Sequence, residues 1–140
     1  MTWSDAVEGY LLDMRARGLR PRTVDLHREQ LRVIRRMLDD AGAPADPLAI
    51  ERTHIQGILR ADRDAGMTPR TSNIPLSTLR TLFAYLVREG VLAAEDVSTN
   101  GVPKLREGRR LPRALSDADI RLLLAACNRA TAGLRDYAMI

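Results

Sequence analysis

The chain has 140 residues, which suffices for one medium-sized domain or for a small domain with part of a second. Hydrophobic residues make up 45% and charged residues 29%, a globular balance that excludes disorder along most of the length, and the scarcity of aromatic residues, at 4%, favours packed helices over a β-sandwich or barrel. The net charge is a modest +4, one cysteine excludes an internal disulfide and a Cys-based zinc site, and no apolar run approaches the roughly 18 residues of a membrane span.

The first predicted helix covers about residues 3 to 17. Its apolar positions recur at helical spacing; they are Trp3, Val7, Tyr10, Leu11 and Met14. Thr2 and Asp5 have the spacing of a capping box, and Gly18 ends the helix.

The second predicted helix begins at Pro21 or Thr23 and ends near Asp40, before Gly42. Two apolar stripes run along it, one of Val24, His27, Leu31, Ile34 and Leu38, the other of Leu26, Val33 and Met37. Between the stripes lie Arg28, Arg32, Arg35 and Arg36. We therefore expect this helix to pack against two partners and to keep one basic face in water.

The third and fourth helices complete the predicted bundle. The third covers about residues 53 to 65, with Ile55, Ile58 and Leu59 on its apolar side and Gly66 as its end. The fourth continues to Gly90, and its core stripe consists of Leu76, Leu79, Leu82, Phe83, Leu86 and Val87. Its opposite arc is mostly short and polar, with Asn73, Ser77, Arg80, Thr81, Ala84 and Arg88. A helix face of this kind can enter the major groove of DNA.

The start of the fourth helix stays open, because Pro75 lacks an N–H and disfavours helical geometry at Ile74. Either Asn73 caps a helix that begins late, or Thr68 caps one that kinks. Both alternatives leave the groove-facing register of residues 71 to 77 in question.

Helical periodicity is absent from residues 93 to 115, which we interpret as an extended basic linker. Its cations are Lys104, Arg106, Arg109, Arg110 and Arg113, against Glu107 alone. Ser116 and Asp119 form a second capping box, which starts a helix with Ile120, Leu123, Leu124 and Cys127 on one side. Residues 134 to 140 are typical of the start of one more helix. We therefore expect a domain at 1–92, a linker at 93–115 and a truncated second domain at 116–140.

Five stretches, in this order, are similar to the tyrosine recombinase, or phage integrase, family. Residues 18–24 resemble the start of the family's second helix, residues 66–73 the start of its fourth, and residues 76–86 the "L-S-x-L-R-x-F-F-x-Y-L" helix. Residues 110–116 resemble the join to the catalytic domain, and residues 133–138 the helix before the first catalytic arginine.

The resemblance implies an all-α fold in which a SAM-like four-helix bundle, the core-binding domain, is followed by the basic linker and by one or two helices of a truncated catalytic domain. The bundle would form one jaw of a clamp around duplex DNA, with its second and fourth helices facing the duplex. The resemblance places Arg20, Arg22 and Thr23 of the second helix at phosphates, and Thr71, Asn73, Ser77 and Arg80 of the fourth in or beside a groove. It also implies that the linker, with Lys104, Arg110 and Arg113, runs along the duplex, and we add Arg28 and Arg70 as further DNA-binding candidates.

Catalysis in this family needs two arginines, a lysine, a histidine-containing region and a nucleophilic tyrosine, and we expect the chain to end before the first of them. Tyr10, Tyr85 and Tyr137 are therefore not expected to be the nucleophile, nor Arg135 the catalytic arginine. We expect no catalytic residue, metal, cofactor or small-molecule substrate. The implied partners are double-stranded DNA and other recombinase protomers on it.

Structural roles compete with these functional ones. We expect His27 to be a partly buried structural residue, His54 to lie on the surface near a helix start, and Trp3 and Phe83 to belong to the core. The arginines of the second helix and those of the linker are also consistent with solvated surface, and high-GC coding bias by itself enriches arginine.

The leading hypothesis is sequence-preferring binding of duplex DNA by the N-terminal part of a cytoplasmic recombinase that serves DNA integration and recombination. Two alternatives stay open. One is a helical protein–protein interaction module, because the last, truncated helix exposes apolar residues. The other is a truncated product without a function.

Overall fold

The computed structural model describes residues 1–108 and 115–127. The described helices are α1 (Trp3–Ala16), α2 (Pro21–Asp40), α3 (Arg52–Asp64), α4 (Pro69–Arg88) and α5 (Asp117–Cys127), with short 3-10 turns at Pro47–Ala49 and Ala94–Asp96. Strands are absent from these residues, which confirms the all-α prediction. The expected roles of Arg110 and Arg113, and the helix expected at residues 134–140, lie outside the described residues. No helix in the described part of the chain is both long enough and apolar enough to cross a membrane.

The helix starts follow from local hydrogen-bond chemistry. At α1, the Asp5 N–H donates to the Thr2 hydroxyl at 3.1 Å and the Thr2 N–H donates to the Asp5 carboxylate at 3.1 Å, which confirms the capping box. At α4, the Thr71 N–H donates to the Thr68 hydroxyl at 3.3 Å. Thr68 is therefore the N-cap, and α4 continues through Pro75 instead of beginning late at Asn73.

The core lies between α1, α2, α3 and α4. Within this unit, α2 and α4 each contact the other three helices. Leu79 and Leu82 of α4, together with Leu31 and Leu38 of α2, have no exposed side-chain surface. Phe83 is buried as expected, and the first apolar stripe of α2 packs into the core. The two helices expected to face DNA are thus also the ones that hold the bundle together.

Among residues 1–108 and 115–127, the second apolar stripe of α2 lacks the second partner that the sequence predicts. Leu26 is 53% exposed and Val33 is 51% exposed, and of this stripe only Met37 packs against the core. The prediction is wrong for Leu26 and Val33, because the helices that contact α2 leave this side of it uncovered.

The compact unit does not end with α4 but extends from Met1 to Glu107. Val102 is only 2% exposed and belongs to the core cluster, and Thr99 is buried beside it. Residues 93–107, which the sequence assigns to the linker, therefore pack on the bundle although they form no helix beyond one 3-10 turn. The division of the chain into domains stays a prediction.

The second unit begins at Gly108, and α5 is its described helix. The hydroxyl of Ser116 accepts from the Asp119 N–H at 3.1 Å, and the Asp119 carboxylate accepts from the Ser116 N–H at 3.2 Å. This confirms the second capping box. Leu122 is 70% exposed and Leu123 is 41% exposed.

Candidate nucleic-acid interface

A groove of about 370 Å³ lies between α2 and α4. Leu26, His27 and Gln30 line it from α2, and Arg70, Ile74 and Ser77 are among the residues that line it from α4. Lys104 reaches it from the segment that follows the bundle. The lining of the groove therefore contains two cations, Arg70 and Lys104, one carboxylate, Glu107, and several short polar groups.

Hydrogen bonds between side chains hold the floor of the groove. The Thr78 hydroxyl donates to the Gln30 side-chain oxygen at 3.0 Å, and Thr78 is itself buried. One helical turn farther, the Tyr10 hydroxyl donates to the Thr81 hydroxyl at 3.1 Å, and Thr81 donates to the Thr78 carbonyl at 2.8 Å. The bond between Thr78 and Gln30 joins α4 to α2, and the bond between Tyr10 and Thr81 joins α4 to α1.

His27 completes this chain of bonds from the α2 side. Its Nδ1 lies 3.1 Å from the Tyr10 hydroxyl. Because the Tyr10 proton goes to Thr81, the bond to His27 requires a proton on Nδ1, which then donates to the Tyr10 oxygen. Burial lowers the pKa of His27 below its usual value of 6.5, which favours this neutral form. The prediction of a partly buried structural histidine is confirmed.

Asn73 does not lie on the exposed arc where the sequence places it. It is 5% exposed, because residues 102–107 cover this part of α4. Its amide nitrogen donates to the Leu105 carbonyl at 2.9 Å, and its amide oxygen accepts from the Leu105 N–H at 2.8 Å. The predicted exposure of Asn73 is wrong, and its hydrogen-bonding groups are engaged within the chain.

Two other predicted contact residues on α4 also have structural partners. Arg80 is half-buried, and its guanidinium donates to the Val102 carbonyl. Thr71 is exposed, but its hydroxyl lies 2.9 Å from that of Thr68 at the helix cap. Of the predicted residues on α4, the structure thus leaves Arg70 and Ser77 lining the groove with no side-chain hydrogen bond to the described residues.

The arginines of α2 lie mainly on the side of α1, away from the groove. Arg28, Arg32 and Arg35 border a separate depression with Trp3 and Val7. Exposed ion pairs within the helix join Arg28 to Asp25 at 2.7 Å and Arg32 to Glu29 at 3.5 Å. The structure therefore does not bring Arg28 together with Arg70 and Ser77.

Arg35 has a structural role on this side of α2. Its guanidinium contacts Asp39 at 2.7 Å, donates to the carbonyls of Pro44 and Ala43, and lies 5.3 Å from the centre of the Trp3 ring. These contacts hold the loop after α2. The solvent-exposed basic face of α2 therefore contains fewer than the four arginines that the sequence predicts.

Arg20, Arg22 and Thr23 lie at the start of α2. Arg20 and Arg22 are exposed and Thr23 is half-buried, and no side chain of the described residues caps this helix start. The first turn carries no acidic residue, so its N–H groups present a positive end to solvent. None of the three lines the groove, so they lie on a separate part of the helix surface.

Leu26, Gln30 and Ile74 line the groove but were not predicted as site residues. Leu26 was assigned to an apolar stripe. Its spacing of three residues from Thr23 and four from Gln30 is a signal that could have placed it on the polar side of α2. In the described part of the chain, no cluster of His, Cys, Asp or Glu side chains could hold a metal ion.

Comparisons with known proteins agree with this architecture. The family described as "Phage integrase, N-terminal SAM-like domain" matches residues 7–90. Tyrosine recombinase XerD of Listeria monocytogenes serotype 4b (strain F2365) is 31% identical over 125 residues, which cover 89% of this chain and 41% of the relative. Tyrosine recombinase XerD of Xanthomonas axonopodis pv. citri (strain 306) is 35% identical over 124 residues, which cover 88% of this chain and 39% of the relative. The chain thus spans about two fifths of the length of these curated relatives.

A solved structure shares the fold. The crystal structure of a lambda integrase(75-356) dimer bound to a COC' core site superposes with a TM-score of 0.65 at 21% sequence identity. The alignment covers 94% of this chain and 45% of the lambda integrase chain. At this level of identity the likeness establishes the helical architecture.

Proposed function

Since the chain belongs to the phage integrase family of tyrosine recombinases, we propose that it binds duplex DNA as the N-terminal part of a site-specific recombinase. One observation carries the proposal: Arg70 and Lys104 line the groove between α2 and α4. The family resemblance implies that these two helices face DNA. Neither cation takes part in an ion pair among the described residues. Two such cations beside one groove of the protein suit the binding of the DNA phosphates that lie on either side of a DNA groove.

The proposed contacts divide by chemistry. Arg70 and Lys104 bind phosphates beside the groove, and Arg20 and Arg22 bind phosphates at the positive end of α2, where Thr23 adds a hydroxyl. Ser77 is the polar side chain of α4 that would meet base edges and contribute sequence preference. Asn73 and Arg80 are left out of the contact set, because their polar groups are bonded within the chain. Arg28 is a weaker member, because Asp25 competes for it.

DNA cleavage and strand exchange are not assigned to this chain, which spans about two fifths of its relatives. We propose that it contributes to DNA integration and recombination by holding DNA, and that it works in the cytoplasm, where such DNA lies. A contribution of other protomers bound to the same DNA is part of this proposal.

A salt titration tests the proposal. We expect fluorescence anisotropy with a labelled duplex to show binding at low salt. The logarithm of the association constant should fall linearly with the logarithm of the salt concentration, with a slope of about −0.9 for each phosphate contacted. Arg70→Gln and Lys104→Gln should each reduce the magnitude of this slope by about one. Arg60→Gln is the matched control, since Arg60 is an exposed arginine of α3 that does not line the groove. No binding at low salt, or a slope near zero, would remove the DNA proposal.

A protein-interaction module is the second candidate function, and the exposed Leu122 and Leu123 of α5 favour it. Light scattering after size exclusion, with and without duplex DNA, separates the two candidates. An interaction module self-associates through these leucines and ignores the duplex, whereas the proposed DNA-binding chain shifts to a larger mass only when DNA is added.

A further inference from the structure

The side chain of Asn73 holds a segment of the chain that lies 32 residues away. Its amide nitrogen donates to the Leu105 carbonyl at 2.9 Å and contacts the Glu107 carboxylate at 3.2 Å, while its amide oxygen accepts from the Leu105 N–H at 2.8 Å. Both backbone groups of Leu105 are thus paired with one side chain. A pair of bonds of this kind fixes position and orientation together, as pairing with a neighbouring strand would.

A second attachment lies two turns farther along α4, where the Arg80 guanidinium donates to the Val102 carbonyl. Seven helical residues separate Asn73 from Arg80, an advance of about 10.5 Å. Arg80 follows Asn73 in α4, whereas its partner Val102 precedes Leu105. Residues 102–105 therefore run along α4 in the opposite direction, held at both ends.

Lys104 lies between these two attachments and lines the groove. Its place in the groove is therefore set by the register of the segment on α4, and the bonds that set this register at the nearer end come from Asn73. Without these bonds, Lys104 would sample many positions, and the entropy cost of immobilising it would reduce the free energy gained on DNA binding.

We infer that Asn73 is a positioning residue for DNA binding, which fixes residues 102–107 on α4 so that Lys104 lines the same groove as Arg70. This inference rests on the proposed function. It assigns to Asn73 no contact with DNA, although the sequence suggests one, and it makes the segment after the bundle part of the binding surface.

The attachment can be tested without DNA, through hydrogen exchange of the Leu105 N–H in the full chain, followed by NMR. We expect protection of this N–H in the unaltered chain and its loss in Asn73→Ala. Asn100→Ala is the matched control, because Asn100 also bonds a backbone carbonyl, that of Ala94, in the same segment. Protection of Leu105 that survives in Asn73→Ala would overturn the inference.

A second pair of variants reaches the same attachment from the other side, in case Asn73→Ala unfolds the bundle. Leu105→Pro removes the N–H that Asn73 accepts, whereas Leu105→Ala keeps it and removes only the side chain. We expect Leu105→Pro to weaken DNA binding and to reduce the magnitude of the salt slope by about one, as Lys104→Gln does. Leu105→Ala should keep the slope, and equal slopes in the two Leu105 variants would count against a role of the attachment.

The link between Asn73 and Lys104 is tested by combining their substitutions. We expect Asn73→Ala and Lys104→Gln to weaken DNA binding by similar factors, and the double variant to be no weaker than the single ones, because both act through the same cation. Additive losses would show that Asn73 acts separately and would overturn the inference alone. Absence of DNA binding by the unaltered chain would instead overturn the proposed function, and the positioning role with it.

Discussion

Arginine side chains serve two different purposes in this chain, and the neighbours of each guanidinium decide which. Arg35 and Arg80 donate to backbone carbonyls and thereby tie loops to helices. Arg70 lines the groove beside Lys104 without such a partner among the described residues. Exposed pairs such as Arg28 with Asp25 lie between these cases, because such pairs contribute little stability and yield to a competing phosphate.

His27 makes the stability of the bundle depend on pH. Burial lowers the pKa of this histidine in the folded chain below the value of 6.5 in the unfolded chain, so over the interval between the two the unfolded state binds more protons. The free energy of unfolding should therefore fall as the pH is lowered from neutrality through about 6.5 towards the lower pKa of His27 in the folded chain. Urea unfolding at several pH values measures this dependence.

The assignment to His27 is checked by substitution. His27→Gln should flatten the pH dependence in this interval, because it removes the titrating imidazole. A dependence that is unchanged in His27→Gln would show that another group is responsible.

At the level of the elements, two glycines of opposite character lie in α3 and just after it. Gly66 follows the helix with φ of 72°, and the Met67 N–H reaches back to the Asp62 carbonyl at 2.9 Å. Gly57 lies inside α3, where an added Cβ would meet only the Cβ of Ala41 at 3.5 Å, an ordinary contact. One glycine therefore serves the left-handed turn, and the other only weakens its helix.

Substitution of these glycines by alanine should change stability in opposite directions. Gly66→Ala should lower the free energy of unfolding by about 1 to 2 kcal/mol, because alanine is strained in the left-handed region. Gly57→Ala should raise it by about 0.5 to 1 kcal/mol, because alanine is the better helix former. Urea unfolding of both variants measures the difference, and the same sign in both would contradict these conformations.

The helices could be predicted because their signals are local. Capping boxes at Thr2 and at Ser116, and glycines at positions 18 and 66, are set by residues within one turn of each helix end. The exposure of Leu26 and Val33 could not be predicted, because which side of an amphipathic helix finds a partner depends on where the other helices lie. Pro75 left two starts for α4 open, and the geometry of the Thr68 cap decides between them.

At the scale of the whole molecule, the unit includes a segment that has no periodic signal. Residues 93–107 are held by the burial of Val102 and by side-chain bonds from Asn73 and Arg80. Interactions between one irregular segment and a distant helix leave no pattern in the sequence. For the same reason the sequence could not show that Asn73 and Arg80 have hydrogen-bond partners within the chain. The DNA-binding residues on α2 and α4 stay a prediction.

Truncation should show where the unit ends. A chain of residues 1–107 should unfold cooperatively and keep the stability that the first unit has in the full chain. A chain of residues 1–92 should lose about 2 kcal/mol or more of its free energy of unfolding, since Val102 alone buries a full valine side chain. Thermal unfolding of the two truncated chains provides the comparison. Equal stability would mean that residues 93–107 add nothing to the bundle.

The bonds from α4 reach Val102 and Leu105 through main-chain atoms, so they constrain the number of residues between the two positions more strongly than their identity. Exchanges of side chain at position 105 should accordingly be tolerated in related proteins. A single-residue insertion or deletion between 102 and 105 should be rare, because it would move the lysine out of phase with the helix beneath it.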